Sequence, residues 1–230
     1  MKTIISASED VLYQAAEQVK EVLASKPDAL LALSAGEDCV KLYEKLEKMQ
    51  RSGQISFARA KIFSVAGFCG EENRRGNAPL ASFLSRVDAD TDNCVFLSEE
   101  NLESYDEMIA ARGGIDLAVL DIGPNARLGY NEPATPFDSL THRQKLTDSS
   151  RRELAPLFGA EEDVPEYALT MGIKTLVSAR NIMLIASGES RAEAVFKMLY
   201  GRNDSFVPAA FLQIPLNVTV YLDEASAQKL

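Results

Sequence analysis

The sequence predicts an α/β protein of three layers, with a mostly parallel, Rossmann-like sheet covered by helices on both faces. Two observations point there. Short runs such as ALLALS and IDLAVLDIG are apolar throughout rather than alternating, which is the mark of strands buried on both sides. These runs take turns with stretches of helical periodicity, the order in which a parallel sheet is wound. A chain of 230 residues fits one such domain, so 1–230 is read as a single unit without internal repeats.

The elements follow in order. Residues 8–25 place Val11, Ala15, Val19 and Val22 on one helical stripe, with Ser8 as the expected N-cap. ALLALS (29–34) is a strand ending at Ala35-Gly36, and DCVKLYEKLEKMQRSG is a helix stopped by Gly53. ARAKIFSVAG (58–67) reads as one strand, 102–112 as a helix ending at Gly113-Gly114, and IDLAVLDIG as a buried strand. Residues 124–165 are rich in Pro, Asn, Ser and charge, which suggests a functional excursion carrying short helices. EYALTMGIKTLVSA is expected as helix and turn, NIMLIASG as a strand, and ESRAEAVFKMLYG as a helix closed by Gly201. AAFLQIP and NVTVYLDEAS end the chain, the second as a strand.

Composition narrows the function. A net charge of −10 argues against nucleic acid and against anionic membrane surfaces. The N-terminus lacks the apolar core of a signal peptide, and no apolar run approaches the ~18 residues of a membrane span. Cys39, Cys69 and Cys94 lack disulfide or zinc spacing and are read as reduced thiols of a cytoplasmic protein. No metal or organic cofactor is implied, since no ligand cluster has suitable spacing.

Ligands of open parallel sheets bind beyond the carboxyl ends of the strands. That selects 34–39, 64–70, 121–132 and 187–191. The first, Ser34-Ala35-Gly36-Glu37-Asp38, joins a strand to a helix N-terminus, where a glycine and free N–H groups suit an anion but two carboxylates oppose one. It is neither a Walker A loop nor a G-x-G-x-x-G fingerprint. The second offers only Cys69, with no histidine partner beside it. The third offers Glu132, restrained before Pro133, as an acid or base or as a solvated loop carboxylate. At the fourth, Arg191 could reach an anion together with Arg151 or Arg152, or form surface ion pairs instead. His142, the only histidine, reads as a surface residue.

Taken together, SKPDALLALSAGEDCVKLYEKL, ARGGIDLAVLDIGPNARLGYNEP, LTDSSRREL, VPEYALTMGIKTLVSARNIMLIASGESRAEAV and VPAAFLQIPLNVTVYLDE resemble, in order, the blocks of the glucosamine-6-phosphate deaminase family. The likeness is greatest to its galactosamine-6-phosphate isomerase branch. The related 6-phosphogluconolactonases share the fold but lack the N-E-P found here as Asn131-Glu132-Pro133. The resemblance implies a sugar-phosphate isomerase/deaminase fold and a small-molecule partner, a hexosamine 6-phosphate. It implies conversion to a ketose 6-phosphate with release of ammonia, needs no cofactor, and is compatible with a homo-oligomer. Such chemistry requires a carboxylate to take the C2 proton, a histidine to open the ring, and donors that fix the phosphate.

Carried over by residue, the family's phosphate-binding arginine falls on Arg151, and its basic residue after the last strand on Arg191. Its phosphate-loop glycine falls on Gly36, the glutamate of N-E-P on Glu132, and the aspartate or asparagine of the signature on Asn125. Two groups are replaced. The proton-abstracting carboxylate falls on Ala66, and the ring-opening histidine on Arg127, whose guanidinium keeps its proton near neutrality. Arg127 is then expected to act as an added anion clamp. One lost acid–base group costs a factor of ~10²–10⁴ in rate, and two that act as a unit need not cost the product. Glu37, Asp38 and Asp121 are the carboxylates from which a substitute base would come. Two functions follow: an amino-sugar-phosphate isomerase/deaminase with a relocated base, or a catalytically inactive homologue that binds a sugar phosphate or another anion in a regulatory role.

Overall fold

A computed structural model describes residues 1–230. The elements are β1 (Lys2–Ile5), α1 (Ser8–Ser25), β2 (Leu30–Leu33), α2 (Glu37–Arg51), β3 (Lys61–Ser64), β4 (Ala66–Phe68), α3 (Glu72–Gly76), α4 (Ala78–Leu84) and β5 (Cys94–Val95). They continue as α5 (Tyr105–Ala111), β6 (Leu117–Asp121), β7 (His142–Lys145), α6 (Asp148–Phe158), β8 (Tyr167–Thr170), α7 (Ile173–Val177), β9 (Ile182–Ala186), α8 (Ala192–Tyr200) and β10 (Val218–Leu222).

Seven strands form one sheet in the order β1-β10-β9-β6-β2-β3-β5, every neighbouring pair parallel. The wholly apolar runs are explained by the two cores they serve. Leu30, Ala32, Ala118, Leu120, Ile182 and Leu184 point to one face, where α5, α7 and α8 cover them. Leu31, Leu33, Leu117, Val119, Met183 and Ile185 point to the other, beneath α1, α2 and α4. With a period of two, these central strands must be apolar wherever both faces are covered. From β2 the chain winds outward to β3 and β5, and it returns to β6 on the opposite side of β2. The order of winding therefore reverses between β2 and β6, and the crevice left there is the usual binding position.

A second sheet, antiparallel in the order β4-β8-β7, stands beside the first over a small core of Phe68, Leu146, Leu154, Phe158, Val164 and Ala168. It corrects two expectations. The run 58–67 is divided at Val65, whose N–H donates to Leu33 O in the large sheet while its carbonyl accepts from Met171 N beside the small one. Residues 166–179 begin as strand β8 rather than helix, because β4 and β7 flank it and satisfy its backbone groups. Ser8 is the first helical residue rather than the cap; Ala7 takes the cap position without a side-chain hydrogen bond. The excursion 124–165 holds strand β7 as well as helix α6. Cys39, Cys69 and Cys94 are free thiols, and no helix is long and apolar enough to cross a membrane.

Candidate functional site

A cavity of about 410 Å³ opens at the carboxyl edge of the large sheet, over the β2–β6 crevice. All four predicted strand ends reach it: Ser34 to Glu37 after β2, Ala66 to Phe68 in β4, Asp121 at the end of β6 with Arg127 and Tyr130 beyond it, and Arg191 after β9. Helix α6 closes one side with Glu153, Leu154, Pro156 and Leu157. The excursion thus supplies a wall of the site.

Asp121 ends β6 and is buried, with the Ser34 hydroxyl donating to it. The Ser34 oxygen in turn accepts from Gly36 N at 3.3 Å. Gly36 is required by this contact and not by its backbone angles. A Cβ there would stand 1.9 Å from Asp121 Oδ2. No cation pairs with Asp121, so it is a buried carboxylate that faces the cavity with a neutral donor only. Glu37 is solvated, its side chain 76% exposed and paired with Lys41. Asp38 lies beneath the loop, receiving Ser187 N at 3.1 Å and Lys41 Nζ at 3.2 Å. Burial pushes its carboxyl above the usual range, against the Ser187 hydrogen bond.

Ala126 adopts φ 64°, and this left-handed residue turns the chain so that Arg127 folds inward. The Arg127 side chain is only 7% exposed. Its Nη2 donates to Glu153 Oε2 at 2.7 Å, its Nη1 to Gly129 O, and its guanidinium lies 5.0 Å above the Tyr130 ring. Its Nε abuts Gly123 and has no hydrogen-bond partner. Burial works against the Arg127 charge, but Glu153, Tyr130, Asp121 and Glu132 together outweigh it and raise the affinity for its proton still further. Arg127 therefore lines the cavity with a fixed positive charge whose two terminal nitrogens are already engaged within the protein.

The second oxygen of Glu153 meets Arg191 Nη2 at 2.6 Å. An Arg127–Glu153–Arg191 chain thus crosses the cavity wall. Burial disfavours the Glu153 charge, yet the two guanidinium groups hold its carboxyl below the ordinary glutamate range. Glu153 has no place in the sequence reading. The signal it left was faint: a carboxylate two positions after Arg151 on a helix, about 200° around the axis, beside apolar Leu154.

The same rotation corrects the expectation for Arg151. It points away from the cavity and donates to Glu161 O at 3.0 Å and Val164 O at 3.4 Å, bracing the loop after α6. Arg152 is exposed to the other side, its Nε donating to Asp148 O at 3.2 Å. Glu132 and Asn125 also lie outside the lining. Glu132 is 1% exposed and accepts from Asn125 Nδ2 at 2.7 Å and from both Thr147 N and Thr147 Oγ1 at 3.2 Å. Asn125 Oδ1 accepts from Arg127 N at 3.3 Å, and Thr147 caps α6. The pair ties the Arg127 loop to the helix that carries Glu153. Gly36, Ala66, Arg127 and Arg191 are the predicted site residues that the fold does bring together. Ala66 and Gly67 line the cavity without a titratable group, and His142 sits on β7 beside Leu140 O and Gln144.

A charged cavity at the switch point of an open parallel sheet defines a protein built to hold a small polar ligand. The chain belongs to the family of glucosamine-6-phosphate isomerases and 6-phosphogluconolactonase, which it matches over residues 6–220. It is 35% identical to a glucosamine-6-phosphate deaminase of Bacillus velezensis over 230 residues, 95% of each chain. The solved structure of a monomeric glucosamine-6-phosphate deaminase, 29% identical, superposes with a TM-score of 0.95 over 100% of both chains. A 6-phosphogluconolactonase of Leishmania guyanensis shares the fold, with a TM-score of 0.75 at 14% identity over 100% of this chain and 98% of its own.

Proposed function

We propose that this protein binds a hexosamine 6-phosphate in the cytoplasm and does not turn it over by the two-group proton transfer its family resemblance implies. The phosphate meets Arg191 near the start of α8, and the amino group meets Asp121 at the end of β6. The reading rests on one observation. Asp121 is a cavity carboxylate free of any ion pair, and the charged groups of the opposite wall keep their charges. Arg127 is held cationic, Glu153 is held anionic, and Ala66 brings no acid. The cavity's mixture of two arginines with carboxylates suits a ligand that carries both signs of charge. Its volume lies within the range of small-molecule sites.

Calorimetric titration with glucosamine and galactosamine 6-phosphates tests this, with an ammonia assay run on the same samples. Saturable binding without ammonia is the expected result. Ammonia release abolished by Asp121→Asn would overturn it. The Ser34–Asp121 hydrogen bond favours one second reading, in which Asp121 alone moves a proton from C2 to C1 of a sugar phosphate already in open-chain form. Conversion of glucose 6-phosphate to fructose 6-phosphate, in which C2 carries a hydroxyl and no group has to leave, would select that reading.

A further inference from the structure

We propose that Glu153 sets the charge of the ligand this cavity accepts, by filling the seat between the two guanidinium groups that a phosphate would otherwise occupy. The proposal deepens the reading above and rests on it for the identity of the ligand.

The two ends of the seat are unequal. Arg127 is anchored by Gly129 O and by the face of Tyr130 in addition to Glu153. The Arg191 side chain has Glu153 as its one polar partner, although it is only 11% exposed. Arg191 is thus the arm that a ligand can engage, and each oxygen of Glu153 is committed to a different arginine, at 2.7 and 2.6 Å. A carboxylate in this position does for the guanidinium groups what a ligand anion would do, and a phosphate must share Arg191 with it or displace it. With Glu153 present, the two arginines leave a net charge of one positive unit in the seat, and the carboxylates across the cavity, buried Asp121 and the Lys41-paired Glu37 at its mouth, offset that unit. A neutral sugar carrying a phosphate meets no net attraction. An amino sugar phosphate offers its ammonium to Asp121, so its positive charge offsets the repulsion that the phosphate feels.

The natural protein should therefore prefer glucosamine 6-phosphate to glucose 6-phosphate by about tenfold or more, as expected for one charge contact at short range. Glu153→Gln keeps the shape and removes the charge. It should tighten inorganic phosphate and glucose 6-phosphate by about tenfold or more and narrow that preference. Glu153→Asp keeps the charge and should stay near the natural protein. Calorimetry with these three ligands reads the dissociation constants, and ligand-free melting curves confirm that each variant is folded. Equal affinity of the natural protein for the two sugar phosphates overturns the proposal even if no variant folds. So does a folded Glu153→Gln that binds phosphate no tighter, or a Glu153→Asp that gains as much as Glu153→Gln. If Glu153→Gln gains inorganic phosphate while neither protein holds glucosamine 6-phosphate, the charge role of Glu153 stands and the amino-sugar reading falls. If no ligand binds to any form, both fall.

Discussion

Removing the Glu132 carboxylate should unfold the loop–helix joint rather than abolish a chemical step. In Glu132→Ala three donors lose their acceptor at once: Asn125 Nδ2, Thr147 N and Thr147 Oγ1. The residue is 1% exposed, so water cannot replace the lost acceptor without opening the structure. Hydrogen bonds to a charged group contribute about 1.5–3 kcal/mol each, and a stranded buried donor costs about 1–3 kcal/mol. The threonine hydroxyl can rotate to Ser150 Oγ, 3.4 Å away, and Asn125 Nδ2 keeps Thr147 Oγ1 at 3.3 Å, which leaves Thr147 N stranded. The expected loss is about 2–3 kcal/mol. For a chain of this length each kcal/mol lowers Tm by about 2–4 °C, so the midpoint should fall by roughly 8 °C. Urea unfolding followed by circular dichroism measures the loss, with Glu132→Gln as a partner variant that keeps the volume. A loss under about 1 kcal/mol would refute the positioning role assigned to Glu132.

Gly36→Ala places a methyl group 1.9 Å from Asp121 Oδ2, so the loop after β2 must shift. We expect a stability loss of about 1–3 kcal/mol in thermal melts, with hexosamine-phosphate affinity falling alongside it. Stability should also depend on Glu153 at low pH. Its folded carboxyl is held below the ordinary glutamate value of 4.5, so its contribution is complete above that value and is lost as pH falls through the depressed folded one. Urea midpoints recorded from neutrality down through this acid window should fall less steeply for Glu153→Gln than for the natural protein; parallel slopes would contradict the assignment.

The strands at the centre of the sheet were legible because β2, β6 and β9 serve two cores, and so carry no polar position before Asp121 at the very end of β6. That pattern also located the site, since strands running in parallel bring their carboxyl ends to one edge. What lay outside the pattern was set by long-range partners. Val65 divides a strand through two backbone bonds to different sheets. The four residues of β8 are extended only because β4 and β7 lie beside them. Among the site residues, Gly36, Ala66, Arg127 and Arg191 sit at strand ends and were found there. Arg151 and Glu153 lie on α6, where the direction a side chain takes depends on how the helix is rotated, and spacing in the chain does not record that. The small core of Phe68, Leu146, Leu154 and Phe158 fixes the rotation, which turns Glu153 inward and Arg151 out.

This cavity holds its sugar phosphate beside Asp121, the one lining carboxylate without a cationic partner, and no titratable side chain bonded to it relays a proton. Glucosamine 6-phosphate incubated in deuterated buffer at saturating protein, and followed by proton NMR, tests it at the reacting carbon. The C2 hydrogen signal should keep its full intensity while binding broadens the ligand resonances. Loss of that signal to deuterium, accompanied by ketose phosphate and ammonia, would contradict it.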